Sequence, residues 1–180
     1  MPGAGKSTVA SYLGESGFAI MTMGDAVREE AHRQGLEPTD ANLGSLMLKL
    51  RDEMGQGAVA HLILKKLTRD GIHGNVVVDG VRSNAEVEVL RQYGEVKVLA
   101  IYASKDVRFR HIRERARSDV TSSPNEFSKR DKRELSVGIS DAIALADETI
   151  SNNELSIDQL KQQAGIIVKR WLSEPRVQAR

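Results

Sequence analysis

The sequence predicts an α/β protein with a mainly parallel sheet that helices cover on both faces. Short apolar runs, which suit buried strands, alternate with longer segments of helical periodicity along most of the chain. The run NVVVDG at 75–80 is the clearest strand, because three β-branched residues precede an Asp-Gly turn signal. The chain also opens with MPGAGKST, which resembles a loop that joins a strand to a helix. In such sheets, ligands bind at the carboxyl ends of the strands.

The opening segment matches the second half of the phosphate-binding pattern G-x-x-x-x-G-K-[ST] through Gly5, Lys6 and Ser7. In such a loop, backbone N–H groups surround phosphate oxygens, the Lys reaches the β- and γ-phosphates, and the hydroxyl binds Mg²⁺. A helix over about 6–13 would direct its positive N-terminus at the same anion. The alternative interpretation is a small-residue segment that matches the pattern by chance.

The other elements follow the same alternation of strand and helix. Apolar runs predict strands at 18–23, 75–79, 96–103 and 148–151. Apolar residues at helical spacing predict helices at 25–35, 39–54, 59–67, 85–93, 105–117, 125–135 and 157–171. Ser and Pro at 118–124 indicate a loop, and we expect 174–180 to be a frayed tail. The prediction is therefore one domain over residues 1–173.

Composition restricts the classes of function. The 180 residues carry a net charge of +1 with 28% charged residues, so nothing indicates a strong attraction to nucleic acid. The absence of Cys excludes disulfides, thiol catalysis and cysteine-ligated zinc. No apolar run approaches the roughly 20 residues of a membrane span, and we expect a cytoplasmic protein that does not bind membranes. The oligomeric state is left open.

Several short motifs occur in an order and spacing that resemble a known superfamily. They are PGAGKST, MGDAVREE, NLG, VVVDGVRS and SKRDKREL, and they extend over most of the chain. This order resembles the nucleoside monophosphate kinases. Within them, DGVRS, RARSD, RDKREL and the late AD-x-x-I-x-N most resemble the archaeal adenylate-kinase-related P-loop proteins. The same late Asp-x-x-Ile-x-Asn segment is also similar to dephospho-CoA kinases.

The resemblance implies the nucleoside monophosphate kinase fold, with acceptor-binding helices at about 24–72 and a small lid at about 115–130. In that fold the strand before the phosphate loop is the central strand of the sheet, and this sequence has no counterpart of it. We therefore expect about ten further upstream residues in the natural protein, mostly β-branched or aliphatic and ending in Gly, that form this strand and complete the loop. We also expect a gap between the strands at 76–79 and 96–102, and weak folding and ATP binding by the chain alone.

The resemblance assigns the donor site to the opening loop and the next strand end. ATP and Mg²⁺ would be held by six consecutive residues: Gly3, Ala4, Gly5, Lys6, Ser7 and Thr8. Asp79 ends a predicted strand, where its carboxylate would join the Ser7 hydroxyl as a metal ligand. A simple Asp-Gly turn is the alternative interpretation of Asp79.

The acceptor site implied by the resemblance consists of Asp25, Arg28, Arg82 and Glu86. Arg28 and Arg82 would bind the acceptor's phosphate, because a guanidinium can bind phosphate with two hydrogen bonds. Asp25 is equally compatible with a helix N-cap. Adenylate kinases carry Gln at the position of Glu86, and a carboxylate cannot donate as an amide does. The acceptor is thus open between AMP, another nucleotide and a phosphorylated non-nucleotide.

The lid implied by the resemblance would bring further arginines to the transferring phosphate. Arg115, Arg117 and Arg130 are the predicted catalytic residues there, together with Lys6 and Arg82. Arg113 and Arg133 are left undecided, and a solvated basic helix face is the alternative for the whole group. The four histidines lack metal-ligand spacing and are interpreted as structural.

These residues together predict a Mg²⁺-dependent enzyme that transfers the γ-phosphate of ATP to a small phosphorylated acceptor, with a nucleoside monophosphate as the first candidate. Two alternatives are open. One is an adenylate-kinase-like ATPase that regulates a protein or RNA assembly. The other is an enzyme similar to dephospho-CoA kinase.

Overall fold

The computed structural model describes residues 1–115 and 123–174. Four strands are present: β1 (Ala19–Thr22), β2 (Val76–Asp79), β3 (Leu99–Tyr102) and β4 (Glu148–Ser151). The helices are α1 (Lys6–Glu15), α2 (Met23–Arg33), α3 (Asp40–Met54), α4 (Ala58–Arg69), α5 (Asn84–Arg91), α6 (Lys105–Arg115), α7 (Pro124–Ser136), α8 (Ile139–Ala144) and α9 (Ile157–Ser173). The predicted frayed tail lies largely outside the described residues.

The strands pair in parallel in two pairs. β1 pairs with β2, with Ala19 opposite Val76 and Thr22 opposite Asp79. β3 pairs with β4, with Ile101 opposite Ile150. Helices separate all successive strands, as parallel pairing requires. The predicted α/β class with parallel strands is therefore confirmed, whereas the nucleoside monophosphate kinase fold and the single domain over 1–173 stay predictions.

A gap separates the two strand pairs. Among the described residues, β2 and β3 each have one strand neighbour and are not paired with each other. A cavity of about 730 Å³ lies between them, and its lining includes Val77, Leu99 and Leu13. All four residues of β2 are only partly buried. The gap expected between these strands is present, and it leaves one backbone edge of each strand without a strand partner.

The hydrophobic core is correspondingly divided into two clusters. One surrounds α2, α3 and α4, with Met23, Ala31 and Ile63 fully buried. The other joins α1 and α9 to β3 and β4, and includes Ala4, Ile101 and other residues. This second cluster lies beneath the opening loop and packs α1 against the β3–β4 pair. The opening loop therefore rests on an apolar support.

The helix boundaries follow local signals in most places. Ser83 caps α5 and Ser123 caps α7, each by accepting a hydrogen bond from the N–H group three residues later. The short helix α8 has no counterpart in the sequence prediction; it begins after Gly138, whose φ of 96° reverses the chain. No helix among the described residues is long and apolar enough to cross a membrane.

Candidate phosphate-binding site

The opening loop has the backbone geometry of an anion site. Gly3 and Gly5 have φ values of 80° and 108°, which other residues rarely adopt. Within residues 1–115 and 123–174, the N–H groups of Gly3, Gly5, Lys6 and Ser7 find no hydrogen-bond acceptor. They lie at the N-terminus of α1, where the helix dipole adds positive potential. The loop can therefore hold an anion by its backbone, as predicted from its sequence.

Lys6 lies within this loop and is partly shielded from solvent. Its Nζ donates a hydrogen bond to the carbonyl oxygen of Met1, 3.0 Å away. Burial lowers the pKa of Lys6, while the nearby carboxylate of Asp79 acts in the opposite direction. Arg82, Arg130 and Glu134 also act on this ammonium group. The predicted lysine thus belongs to a cluster of charges drawn from three parts of the chain: the opening loop, residues 79–82 and α7.

Ser7 and Asp79 meet as the predicted metal ligands should. The Ser7 hydroxyl donates to Oδ2 of Asp79 over 2.8 Å, although 72 residues separate them. The register of β1 and β2 places Asp79 at the carboxyl end of β2, next to the loop. A hydroxyl and a carboxylate oxygen side by side are donors that Mg²⁺ accepts, so these residues fit the ion. No group of three or more His, Cys, Asp or Glu side chains among the described residues could hold a metal.

Arg82 is held at the same edge by contacts on three sides. Its Nε donates to Oε2 of Glu134, and its Nη1 donates to the carbonyl of Gly80 at 3.3 Å. Its backbone N–H donates to Oε2 of Glu86 at 2.7 Å. The Glu134 side chain is only 2% exposed, so the pair is shielded from solvent. The predicted arginine therefore lies at the site, with its charge already balanced by a carboxylate of α7.

Glu86 is fully buried at the start of α5. Its second carboxylate oxygen accepts a hydrogen bond from Nη2 of Arg51, a buried residue of α3. Burial raises the pKa of Glu86, and the positive charge of Arg51 opposes that shift. Both oxygens are thus engaged inside the protein. The predicted contact of Glu86 with an acceptor stays a prediction.

Asp25 and Arg28 lie in the first turns of α2, directly after β1. Nη1 of Arg28 donates to Oδ1 of Asp25 over 2.7 Å, and both side chains are largely exposed. This position follows the carboxyl end of β1 and so faces the same edge as Asp79 at the end of β2. The role of these two residues in acceptor binding stays a prediction.

The arginines predicted for the lid lie in different environments, and two of them are not fully described. Arg117 lies outside the described residues, as do 116–122 of the predicted lid, and the Arg115 side chain is not described. Arg130, on α7, has a buried Nε without a hydrogen-bond partner in the described chain. Its charge acts on Lys6 and on Asp40. Arg113 is exposed on α6, and Arg133 donates to both oxygens of Asp40.

Four further charged residues near the site were not predicted from the sequence. Glu134, Asp131, Arg108 and Arg51 are buried or nearly buried and form ion pairs, although none stood out as a site residue. The sequence signal for two of them is the alternation of acid and base in RDKREL, which places Asp131 and Glu134 three residues apart on one face of α7. For Arg51, within an ordinary amphipathic helix, no such signal exists.

Comparison with known proteins now defines the class. A family model described as an AAA domain matches residues 1–128, which contain the loop, Asp79 and Arg82. The fold and site are therefore those of a P-loop protein of this domain class, and nucleotide binding is its expected property. The closer resemblance to adenylate kinases and dephospho-CoA kinases stays a prediction.

Relatives along almost the full length specify the family. The chain is 42% identical over 170 residues to the UPF0200 protein of Hyperthermus butylicus, covering 94% of this chain and 90% of that protein. It is 41% identical over 177 residues to UPF0200 protein PH1008 of Pyrococcus horikoshii, covering 96% and 95%. The chain belongs to the UPF0200 family. The crystal structure of TT1252 from Thermus thermophilus shares the fold, with a TM-score of 0.62, 18% identity and 93% of both chains covered.

Proposed function

We propose that this protein binds ATP with Mg²⁺ and transfers the γ-phosphoryl group to a small phosphorylated acceptor, with a nucleoside monophosphate as the first candidate. In this reaction, the bond between the γ-phosphorus and the β–γ bridging oxygen breaks. A new bond forms to an oxygen of the acceptor, and ADP leaves. Such chemistry needs positive charge and positioning around the phosphoryl group more than it needs covalent groups of the protein.

The observation that carries the proposal is the contact of the opening loop with the carboxyl end of β2. Free N–H groups of the loop, Lys6 and the Ser7–Asp79 pair lie together, although Asp79 is 72 residues away in sequence. In the proposed complex, the loop N–H groups and Lys6 bind the phosphates of ATP. Ser7 and Asp79 would hold Mg²⁺, which would supply positive charge to the phosphates of ATP. Thr8 follows at the same helix terminus and completes the donor site.

The arginines supply the second half of the proposed site. Arg82 lies at the carboxyl end of β2 and Arg28 after that of β1, so an acceptor phosphate between them would be bound by guanidinium groups. Arg130 has an unpartnered Nε within the described chain and its charge acts on Lys6, which supports a role at the transferring phosphoryl group. Arg115 and Arg117 are proposed for the same role on the basis of the resemblance alone.

A specific observation favours a second candidate, an ATPase of the same fold. The Arg82 side chain is paired with the buried carboxylate of Glu134, and Arg28 is paired with Asp25. Both arginines proposed to bind the acceptor phosphate therefore already have an anionic partner. In an ATPase, water would replace the acceptor, and no second phosphate would need to displace these carboxylates.

A screen of phosphate acceptors distinguishes the two candidates. The protein would be incubated with Mg²⁺ and ATP labelled in the γ-phosphate, together with nucleoside monophosphates, dephospho-CoA or phosphorylated sugars. Label in a new phosphorylated product that depends on one acceptor supports the kinase. Label found only in inorganic phosphate, at a rate that no acceptor changes, supports the ATPase. The absence of both products, with no binding of ATP, would contradict the proposal.

A further inference from the structure

Three successive carbonyl groups of the opening loop are each bound by a side chain from a distant part of the chain. The carbonyl of Pro2 accepts a hydrogen bond from Nη1 of Arg108 at 3.1 Å. The carbonyl of Gly3 lies 3.0 Å from Nδ1 of His111, and that of Ala4 accepts from Nδ2 of Asn152 at 2.9 Å. Because a carbonyl oxygen can only accept, the hydrogen of this His111 contact is carried by Nδ1.

Two of these donors, Asn152 and Arg108, are themselves held in place by further contacts. Asn152 is 5% exposed, and its backbone N–H donates to the carbonyl of Tyr102 at 2.7 Å, so the end of β4 fixes its position. Arg108 is also 5% exposed, and its guanidinium makes two hydrogen bonds, of 2.8 and 2.6 Å, to the carboxylate of Asp131. The guanidinium also lies 5.0 Å from the centre of the Phe127 ring. The loop is therefore attached to α6, β4 and, through Arg108, α7.

The same elements approach the loop so closely that only glycine fits. A Cβ atom on Gly3 would lie 2.5 Å from the carbonyl oxygen of Arg108. On Gly5 it would lie 2.7 Å from Nδ2 of Asn152 and 2.9 Å from Leu160. The loop is thus enclosed from two sides, by α6 and by the junction of β4 with α9. Both glycines also need their positive φ values for the turn of the loop.

This arrangement determines which polar groups of the loop face a ligand. Carbonyl oxygens carry partial negative charge, so any that turned toward a phosphate would repel it. The outside donors bind the carbonyl groups of Pro2, Gly3 and Ala4, while the N–H groups of Gly3 and Gly5 have no acceptor in the described chain. The donors thereby fix the orientation that leaves N–H groups for an anion. An anion-binding loop that is arranged before the ligand arrives needs no reorganisation on binding.

We propose that His111 and Asn152 are positioning residues for the triphosphate of the nucleotide, acting through the carbonyl groups of Gly3 and Ala4; the proposal rests on the proposed function. Neither side chain needs to touch the ligand. Arg108 supports the same loop but also forms the ion pair with Asp131, so its substitution would affect folding as well. His111 and Asn152 therefore offer the clearer test.

The experiment measures binding of Mg²⁺–ATP and of inorganic triphosphate by calorimetry, using the full chain. Asn152→Asp keeps the shape of the side chain but loses its donor, and His111→Phe loses the donor of the ring. We expect each to weaken binding of both ligands by at least about tenfold, which corresponds to one lost hydrogen bond. His111→Asn should retain affinity within about twofold, because an Asn amide nitrogen can occupy the position of Nδ1.

The matched control is Asn153→Asp, in the next residue. Oδ1 of Asn153 accepts a hydrogen bond from the N–H of Ser104, and Nδ2 donates to Oγ of Ser151, so neither hydrogen bond involves the loop. This control should bind both ligands as the wild type does. Unfolding in urea, measured on every variant, reports any general loss of structure. Normal affinity in folded Asn152→Asp and His111→Phe, or equal loss in His111→Asn and His111→Phe, would overturn the proposal.

A second measurement separates this inference from the proposed function. If the wild type binds neither ligand, the proposed function fails, and the amide chemical shifts of Gly3 and Gly5 then decide the positioning role. Large shift changes in Asn152→Asp, absent in Asn153→Asp, would support positioning of the loop. Unchanged shifts would overturn it. If ATP binds but no phosphoryl transfer occurs, the calorimetry alone decides whether His111 and Asn152 position the loop.

Discussion

Arg133 of α7 binds both carboxylate oxygens of Asp40 at the start of α3, with Nη1–Oδ2 and Nη2–Oδ1 distances of 3.0 and 2.9 Å. The same guanidinium packs on Gly44, where a Cβ atom would lie 2.5 Å from Nη1. The pair joins α3, within the segment predicted to bind the acceptor, to α7, whose first half lies within the predicted lid. The sequence left the catalytic role of Arg133 undecided. In the structure, this residue connects these two parts of the protein.

Acid should abolish the contribution of this pair to stability. The hydrogen bonds from Arg133 hold the pKa of Asp40 below its usual range. A carboxyl whose folded pKa is lowered stabilises the protein above its unfolded pKa, near 3.9, and the contribution disappears as pH falls through the folded value. We expect Asp40→Asn to cost at most about 1 kcal/mol at pH 7, because the carboxylate is half exposed. Urea unfolding should show that the difference in stability between the wild type and Asp40→Asn is smaller at pH 2–3 than at pH 7. Asp52→Asn, an exposed change on the same helix, should show no such pH dependence.

Loss of Arg51 should be far more damaging than loss of an exposed arginine. Arg51→Met would leave the carboxylate of Glu86 buried without its cation, at a cost of about 3–5 kcal/mol in the free energy of unfolding. The double change Arg51→Met/Glu86→Gln should recover much of this loss, because no buried charge is left unpaired. Arg91→Met breaks an exposed pair with Glu88 and should cost about 0–1 kcal/mol. Equal stability of Arg51→Met and Arg91→Met would contradict the buried ion pair.

Lys6→Ala should lower the rate of ATP hydrolysis or phosphoryl transfer by at least about a hundredfold, because it removes the positive charge that lies beside the transferring phosphoryl group. The measurement is the rate of ADP formation with Mg²⁺ and ATP, in whichever version of the chain is active. Lys169→Ala, an exposed change on α9, serves as the control and should retain full activity. Near-normal turnover in Lys6→Ala would contradict the assignment of the donor site.

Glu134→Gln should separate the two candidate functions. The change keeps the size of the side chain but removes the negative charge that balances Arg82. In a kinase, the more available guanidinium should bind an anionic acceptor better, so the KM for the acceptor should fall severalfold. In an ATPase without an acceptor, no such change can occur. Ser136→Ala, an exposed change on the same helix, is the control and should leave all rates unchanged.

The contact between the opening loop and Asp79 could be predicted from the sequence because its signals are local. The loop pattern places Gly5, Lys6 and Ser7 together, and the β-branched run before Asp79 identifies the end of a strand. Parallel pairing then brings both to one edge without further information. Helix α8 was missed because six residues contain too few turns for a clear periodicity.

The ion pairs could not be predicted because each joins residues that are far apart in the chain. Arg51 and Glu86 are 35 residues apart, and Arg82 and Glu134 are 52 apart. A charged residue on an amphipathic helix has the same local pattern whether it faces solvent or a buried partner. The carbonyl contacts of His111 and Asn152 depend in the same way on which helix and strand adjoin the loop.

The gap between β2 and β3 also has a thermodynamic consequence. Unfolding exposes less new surface when part of the apolar surface is already accessible in the folded state, as it is along the whole of β2. Both the heat-capacity increment of unfolding and its urea dependence scale with that newly exposed surface. This protein should therefore unfold with a flatter stability curve and a broader urea transition than its 180 residues would otherwise give. An extended apolar segment that paired with both β2 and β3 would make the stability curve more strongly curved and the urea transition narrower.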